Sequence, residues 1–261
     1  MKKPQYLALL AAFVLFSGLY FGFSPKPSGQ KKVEQSQVVV KGNTTSEALR
    51  EAAGKKLDAQ QLVQVTELEQ QISATQNDTE RAALFKRLSG LWYGIGNIPV
   101  AGDVAVQAAL SENTDAAWSV AGGTFFNGLT ASQEPLIRDY CAESAVKCFE
   151  KAALLAPEKV EHRVNAALVY AENPPPDNPM QAVLMLRDLE SKYPQEASVY
   201  NALGRLAIKT NQWERAIERL EKARSLDKTN PNTPCLLAKA YEGAGNTTKA
   251  NEFARICNAS R

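Results

Sequence analysis

The sequence repeats one pattern of apolar residues at an interval of 34 positions, and this recurrence constrains the fold more than any other feature. Residues 200 to 227 read as two amphipathic helices joined by a polar turn at Asn211 and Gln212. A hairpin of this kind exposes an apolar face that only a neighbouring hairpin can bury. The apolar positions recur 34 residues later in the pairs Leu203 and Leu237, Ala216 and Ala250, Leu220 and Ala254, and Ala223 and Cys257. The sequence therefore predicts a stack of repeated helical hairpins.

Small and large apolar residues alternate between the two helices of each hairpin. Small residues such as Gly204 and Ala216 let the helix backbones approach closely, and large ones such as Leu203 and Leu220 fill the space between hairpins. This alternation resembles the tetratricopeptide repeat (TPR), whose signature is W-x2-L-G-x2-Y, then A-x3-F, then P. An earlier unit matches both parts of that signature, with Trp118, Ala121, Gly122 and Phe125 followed by Ala145, Phe149 and Pro157.

The resemblance covers about residues 82 to 261, in five units at about 82–114, 115–159, 160–196, 197–230 and 231–261. Two units are longer than the repeat. An insertion within residues 127–141 predicts one long second helix from about Pro135 to Leu155. The turn ENPPPDNP in the third unit has three extra residues. The resemblance implies an all-α fold: a TPR solenoid, in which hairpins stack as a right-handed superhelix. We expect ten or eleven helices and no sheet in residues 57–261.

An uncharged apolar run extends from residue 6 to residue 23, directly after a short segment that contains Lys2 and Lys3. Its length is close to the minimum for a helix that spans the hydrocarbon core of a bilayer. A cleaved secretory signal would begin in the same way, but no A-x-A cleavage site follows the run. The sequence therefore predicts an N-terminal transmembrane helix in the segment 1–23, with a cleaved signal as the alternative.

The lysines around this run bear on its orientation. Lys2 and Lys3 favour an N-terminus on the inner side, although Lys26, Lys31 and Lys32 lie on the other flank. We therefore predict a single-pass protein of the bacterial inner membrane whose repeat domain lies in the periplasm.

The next segments differ sharply in their patterning. Residues 24–56 are polar and carry too few large apolar residues to form a core, which predicts a flexible linker. Residues 57–76 show a helical stripe that consists of Leu62, Val65, Leu68 and Ile72. This amphipathic lead helix is expected to cap the TPR domain at residues 77–261. A coiled coil with a second copy of the chain is the alternative.

No catalytic or metal-binding constellation is evident. The only histidine, His162, lies between Glu161 and Arg163, where a surface or capping role is the favoured interpretation. The sequence contains no G-x-S-x-G motif, and no P-loop lysine follows Gly96. A net charge of +2 gives no argument for nucleic acid as a partner. We therefore predict that the protein is not an enzyme and uses no cofactor or metal.

The four cysteines lack the short paired spacing of zinc ribbons and redox motifs. Cys141 and Cys148 are seven residues apart, which is too far along one helix for a disulfide. Small buried thiols are the favoured interpretation of all four. A bridge between Cys235 and Cys257 inside the last hairpin is the less favoured alternative.

A candidate binding surface follows from the resemblance, because the first helices of TPR hairpins line the concave side of the solenoid. On that side we place Asn201, Arg205 and Lys209 from the fourth unit and Lys239 from the fifth. Arg205 and Lys239 are 34 residues apart, and they therefore occupy equivalent sites in adjacent hairpins. Two cations and an amide could hold a carboxylate of a peptide. Solvated surface charges are the alternative interpretation.

The resemblance implies a function in protein–protein interaction. We predict a non-catalytic, membrane-tethered scaffold that binds a protein or peptide partner, for instance during assembly of an envelope complex. The alternative is a self-associating structural protein of the membrane, in which the lead helix mediates homo-oligomer formation.

Overall fold

The computed structural model describes residues 45–259, which form twelve α-helices and no strand. In chain order they are α1 Ser46–Gly54, α2 Ala59–Ala74, α3 Asp78–Gly94, α4 Ile98–Glu112, α5 Asp115–Ala131, α6 Pro135–Leu155, α7 Val160–Glu172, α8 Gln181–Lys192, α9 Ala197–Lys209, α10 Trp213–Leu226, α11 Asn232–Gly243 and α12 Thr247–Ala259. Eleven of them begin after residue 57. The all-α prediction and the expected helix number are therefore confirmed for the described residues.

The helices pair into five consecutive hairpins, α3/α4, α5/α6, α7/α8, α9/α10 and α11/α12. Within each hairpin the two helices pack against each other, and the second helix also contacts the first helix of the next hairpin. The apolar core follows this order, since separate clusters of buried residues succeed one another from α2 to α12. The described part of the chain is therefore a TPR-like stack in which each hairpin buries the face that its neighbour leaves open.

Close approach inside the hairpins depends on glycines that face large side chains. A Cβ atom added to Gly204 of α9 would lie 2.5 Å from Cγ of Leu220 in α10. A Cβ atom on Gly122 of α5 would lie 2.8 Å from Cε1 of Phe149 in α6. The glycine and the large residue therefore form one packing unit in each of these hairpins, as the alternation in the sequence predicts.

Three of the five hairpins share one turn geometry. In each, a residue with positive φ follows the first helix: Gly96 (89°), Asn211 (57°) and Gly245 (77°). The next amide then donates to the carbonyl five residues earlier, as from Gln212 to Ala207 at 2.8 Å. This pattern satisfies the last free carbonyls of the first helix. The α7/α8 hairpin turns through the eight residues 173–180 instead, and the α5/α6 hairpin turns through three residues, none of which has a positive φ.

The insertion at residues 127–141 brings a capping cation, Arg138, into the stack. Nη1 of Arg138 donates to the carbonyl of Leu129 near the end of α5 at 2.7 Å, and its Nη2 donates to the carbonyl of Glu172 at the end of α7 at 2.9 Å. A guanidinium at two helix C-termini opposes the negative end of each helix dipole. α6 itself runs from Pro135 to Leu155, as the sequence predicts.

Helix α1 lies in the segment 24–56, and the linker prediction is therefore wrong for residues 46–54. Thr45 caps this helix by accepting a hydrogen bond from the Ala48 amide. Ala53 is buried, and Arg50 forms an ion pair with Glu69 of α2 at 2.7 Å. So short a helix is marginal by itself and is stabilised mainly by tertiary contacts. Composition does not reveal such contacts.

Helix α2 packs against α3 and buries Val65 and Leu68, which agrees with a lead helix that covers the first hairpin. Leu62, the first residue of the predicted stripe, and its neighbour Val63 are nevertheless 51% and 55% exposed.

The predicted transmembrane run at residues 6–23 and the rest of the linker lie outside the described residues. Among residues 45–259, no helix is long and apolar enough to cross a membrane.

Candidate partner-binding groove

A groove of about 340 Å³ lies between the first helices of the last three hairpins, α7, α9 and α11; we call it the partner groove. Its walls combine amide side chains with a few apolar residues. The amides come from all three hairpins and are those of Asn165, Asn201, Asn230 and Asn232. Amides both donate and accept hydrogen bonds, and this is the requirement for pairing with an extended peptide backbone. The groove can therefore bind a main chain without strong dependence on its side chains.

Asn201 lies at the centre of this groove and is only partly satisfied. Its Oδ1 accepts a hydrogen bond at 3.0 Å from the hydroxyl of Thr233, which is fully buried on α11. Its Nδ2 is buried and has no hydrogen-bond partner among the described residues. A buried donor without a partner costs free energy. A ligand carbonyl reaches this donor only when the Asn201 side chain rotates toward the groove, because the atom is closed to solvent.

Arg205 lines the same groove one helical turn after Asn201. Its guanidinium stands over the ring of Phe126 at 5.7 Å from the ring centroid, and Nη2 lies 3.9 Å from Oε1 of Glu172. The Arg205 side chain is 44% exposed. It is thus oriented by an aromatic face and a distant carboxylate while its remaining N–H groups can reach a ligand.

The structure separates the other two predicted residues from this site. Nζ of Lys209 donates to the Ala171 carbonyl at 2.6 Å and to Oε2 of Glu172 at 2.8 Å, at the C-terminal end of α7. Lys239 is exposed on α11 and lies outside the set of described residues that line the partner groove. The groove therefore brings together Asn201 and Arg205 but not Lys209 or Lys239. A shared 34-residue spacing did not place Arg205 and Lys239 at one cavity.

Sequence reasoning missed three of the four amides. Asn165, Asn230 and Asn232 line the groove from α7, from the turn before α11 and from the start of α11. They do not share a repeat position with Asn201. An alignment of the repeats therefore gives no signal for them, and only the stacking of the hairpins shows that they converge.

A second depression, of about 540 Å³, lies between α3 and α5 and has a different character. Its floor is made of small residues such as Gly90, Ala108 and Ala117, and Tyr93 and Val120 are 45% and 64% exposed at its edge. This part of the first-helix side is therefore apolar, whereas the partner groove is rich in amides.

The interpretation of His162 as a surface residue is wrong, because this residue is only 6% exposed at the start of α7. Its Nε2 lies 2.9 Å from Oδ2 of Asp115 at the start of α5, and Nζ of Lys159 binds the same oxygen at 2.7 Å. The hydrogen bonds from Lys159 and His162 hold the pKa of Asp115 below its usual value. Nδ1 of His162 is buried and has no hydrogen-bond partner in the described part of the chain. The cluster joins two adjacent hairpins, and this histidine has a structural role.

The cysteines divide into two classes. Cys235 and Cys257 form a disulfide that joins α11 to α12, with their Cα atoms 4.9 Å apart, and the less favoured alternative is therefore the observed one. Cys141 and Cys148 are buried free thiols, and burial raises the pKa of each to about 12. Thiols with such a pKa are unreactive at neutral pH. Residues 45–259 contain no group of three or more His, Cys, Asp or Glu residues that could hold a metal ion.

Comparisons with known proteins give similarities in structure only. The sequence matches no protein-family model and no curated protein sequence. Among solved structures, MamA from Desulfovibrio magneticus aligns at 20% identity over 69% of this chain and 94% of its own, with a TM-score of 0.39. YrrB, a TPR protein with an unusual peptide-binding site, aligns at 14% identity over 74% and 92%, with a TM-score of 0.37. A tetratricopeptide repeat protein from Parabacteroides merdae aligns at 14% identity over 88% and 79%, with a TM-score of 0.47.

Proposed function

We propose that this protein is a non-catalytic scaffold that binds an extended segment of a protein partner in the partner groove. The observation that carries this proposal is the convergence of four amides from three hairpins on one groove; one of them, Asn201, has an Nδ2 atom with no hydrogen-bond partner among residues 45–259. The partly exposed guanidinium of Arg205 adds a site for a carboxylate, either an acidic side chain or a chain terminus. Main-chain pairing supplies affinity in this arrangement, and Arg205 supplies selectivity.

Site-specific photocrosslinking in intact membranes tests the location of this interaction. A photoreactive amino acid at Ser198 inside the groove should give a discrete adduct, whereas one at Lys151 on α6, outside the groove, should not. The double substitution Asn201→Ala/Arg205→Ala should suppress the adduct from Ser198. Lys239→Ala is the matched control, because it removes an exposed cation of the next hairpin that lies outside the groove. Equal adducts from both variants would exclude the groove as the partner site.

We further propose that residues 6–23 tether the scaffold to a bacterial inner membrane and that the repeats lie in the periplasm, where envelope complexes assemble. The apolar run in the sequence supports the tether. The Cys235–Cys257 disulfide supports an oxidising compartment, since disulfides are rare in the bacterial cytosol. Carbonate extraction should leave the protein in the membrane pellet. A mature N-terminus beyond residue 20, found by mass spectrometry, would identify the run as a cleaved signal instead.

Self-association is the second candidate function, and the exposure of Leu62 and Val63 near the start of α2 favours it. Sedimentation velocity of the full chain in detergent separates the two functions. An assembly that is abolished by Leu62→Gln/Val63→Gln would support self-association, and a monomer over a wide concentration range would exclude it.

A further inference from the structure

A third cavity, of about 530 Å³, opens at the turn edge of the stack between the third and fourth hairpins. Its walls come from the ends of α7 and α9, from α8 and α10, and from the long turn before α8. We call it the turn-edge cleft. It shares no lining residue with the partner groove, although both cavities are lined partly by α9. A ligand in one cavity therefore leaves the other free.

The floor of the turn-edge cleft is apolar. Leu203 and Leu206 of α9 and Val183 of α8 line it, and Met180 at its mouth is 53% exposed. The three extra residues of the ENPPPDNP turn lengthen the wall that Pro174 and Pro179 contribute. The insertion that lengthens the third repeat is thus part of the boundary of a cavity large enough for one or two apolar side chains.

The rim of the cleft is cationic. It carries Arg187, Lys209, Arg215 and Arg219 against a single acid, Glu190. Arg219 pairs with Glu190, and Lys209 pairs with Glu172. Arg215 donates only to the neutral amide of Gln212, at 2.7 Å, and Arg187 is exposed. Among residues 45–259, neither Arg187 nor Arg215 has a carboxylate partner.

We propose that the turn-edge cleft is a second interaction surface, which binds an acidic segment of a partner protein that carries a large apolar side chain between carboxylates. Charge complementarity selects this occupant, since two guanidiniums without a carboxylate flank an apolar floor in a chain whose net charge is only +2. Arg187 and Arg215 each bind one carboxylate, in the paired geometry that a guanidinium prefers. The apolar side chain between them enters the cavity beside Met180. This surface is additional to the partner groove and does not depend on it.

The chain's own N-terminal segment does not have this chemistry. Residues 24–44 contain Lys26, Lys31, Lys32 and Lys41 against a single acid, Glu34. A cationic segment would be repelled by the rim of the cleft, and the occupant is therefore a separate polypeptide.

A binding measurement with a designed peptide tests the proposal. The probe is a fluorescent synthetic peptide with leucines at helical spacing and glutamates between them, titrated with the full chain in detergent. Arg187→Glu/Arg215→Glu should weaken its binding about tenfold or more, because two favourable charge pairs become repulsive. Lys147→Glu/Lys151→Glu on α6 makes the same change in net charge at residues that do not line the cleft, and it should leave binding unchanged. Arg187→Ala/Arg215→Ala removes both cations without adding negative charge and should cause a smaller loss of peptide binding. It tests the proposal if the charge-reversed variant does not fold.

Two further peptides define the chemistry of the occupant. Glutamine in place of glutamate should remove both the binding and its salt dependence, and alanine in place of leucine should weaken binding at every salt concentration. Equal binding by the Arg187/Arg215 variant and the α6 control would overturn the proposal. Loss of binding in Arg205→Ala alone would assign the peptide to the partner groove. Sedimentation velocity could instead show that the protein self-assembles and that the Arg187/Arg215 substitutions abolish the assembly. The occupant would then be a second copy of this chain, and the assignment to a different protein would be overturned.

Discussion

Gly204 and Leu220 lie in direct contact across the fourth hairpin, with 2.5 Å between Leu220 Cγ and the position that a Cβ atom on Gly204 would occupy. Leu220 is fully buried and cannot move away. Gly204→Leu should therefore lower the free energy of unfolding by about 1–3 kcal/mol or more, the usual effect of overpacking. Urea denaturation of the purified protein measures this loss.

Gly123→Ala provides the matched control for that substitution. A Cβ atom on Gly123 would meet no atom within 4 Å, and the residue lies inside α5. Alanine should stabilise the helix there by about 0.5–1 kcal/mol. A Gly204→Leu variant as stable as wild type would show that the contact between α9 and α10 is not as described.

Arg138→Ala should destabilise the centre of the stack, because it removes hydrogen bonds to carbonyls at the ends of both α5 and α7. Hydrogen bonds to charged groups typically contribute about 1.5–3 kcal/mol, and we expect a loss in that range. Arg138→Lys should recover only part of it, since one ammonium cannot reach both helix ends in the same planar geometry. Arg87→Ala, an exposed arginine of α3, is the control and should have little effect. Equal melting temperatures for the Arg138→Ala and Arg87→Ala variants would contradict the capping role.

Asp103 of α4 should make stability depend on pH with an unusual sign. Burial raises its pKa above the ordinary 3.8, and hydrogen bonds from Tyr140 and Ser46 oppose this only in part. The folded protein therefore binds the Asp103 proton more tightly than the unfolded chain does. Its contribution to stability is present at low pH and is lost as the pH rises from the ordinary carboxyl range through the raised pKa.

Asp103→Asn tests this prediction, because asparagine keeps an acceptor for the Tyr140 hydroxyl but does not titrate. The free energy of unfolding of the variant, relative to wild type, should increase as the pH rises across that window and then level off. Urea titrations at a series of pH values give this difference directly. A difference that stays constant from acid to neutral pH would refute the raised pKa.

The Cys235–Cys257 disulfide should stabilise the last hairpin far more than the rest of the stack. In the loop-entropy model a bridge that closes a segment of this length contributes about 3 kcal/mol, and its residues are 22 positions apart. Reduction should therefore speed hydrogen exchange in α11 and α12 and leave α3 to α6 unchanged, since repeats couple mainly to their neighbours. Thiol labelling after reduction should modify the half-buried Cys235 while the buried Cys141 and Cys148 remain unlabelled. Uniform acceleration of exchange along the chain would show that the bridge acts globally.

The elements that the sequence predicts well are those that depend on contacts within one hairpin. The pairing of Gly204 with Leu220, and the start of α6 at Pro135, follow from residues a short distance apart in the chain. The elements it misses depend on contacts between hairpins. α1 is only nine residues long. It is held by Leu49 and Ala53, which pack in the first apolar cluster, and by Arg50, which pairs with Glu69 of α2.

The candidate site was predictable to a similar extent. Repeat spacing placed Asn201 and Arg205 on the first-helix side of the stack, and the structure finds both at the partner groove. The same spacing could not show that Lys209 turns back to the end of α7, because that depends on where Glu172 lies in the preceding hairpin. The convergence of Asn165 and Asn232 likewise depends on how far one hairpin is offset against the next.

The cations at the end of α7 also determine where this stack can bend. In a solenoid whose repeats contact only their neighbours, every part of the stack has a similar resistance to bending. Here Arg138 connects the end of α7 to the end of α5, Lys209 connects it to α9, and Arg205 of α9 reaches Phe126 of α5, two hairpins away. These non-covalent contacts make the middle of the stack stiffer than its ends. A bound segment would therefore change the curvature mainly at the first and last hairpins, and the span between Phe126 and Arg205 would keep a fixed length.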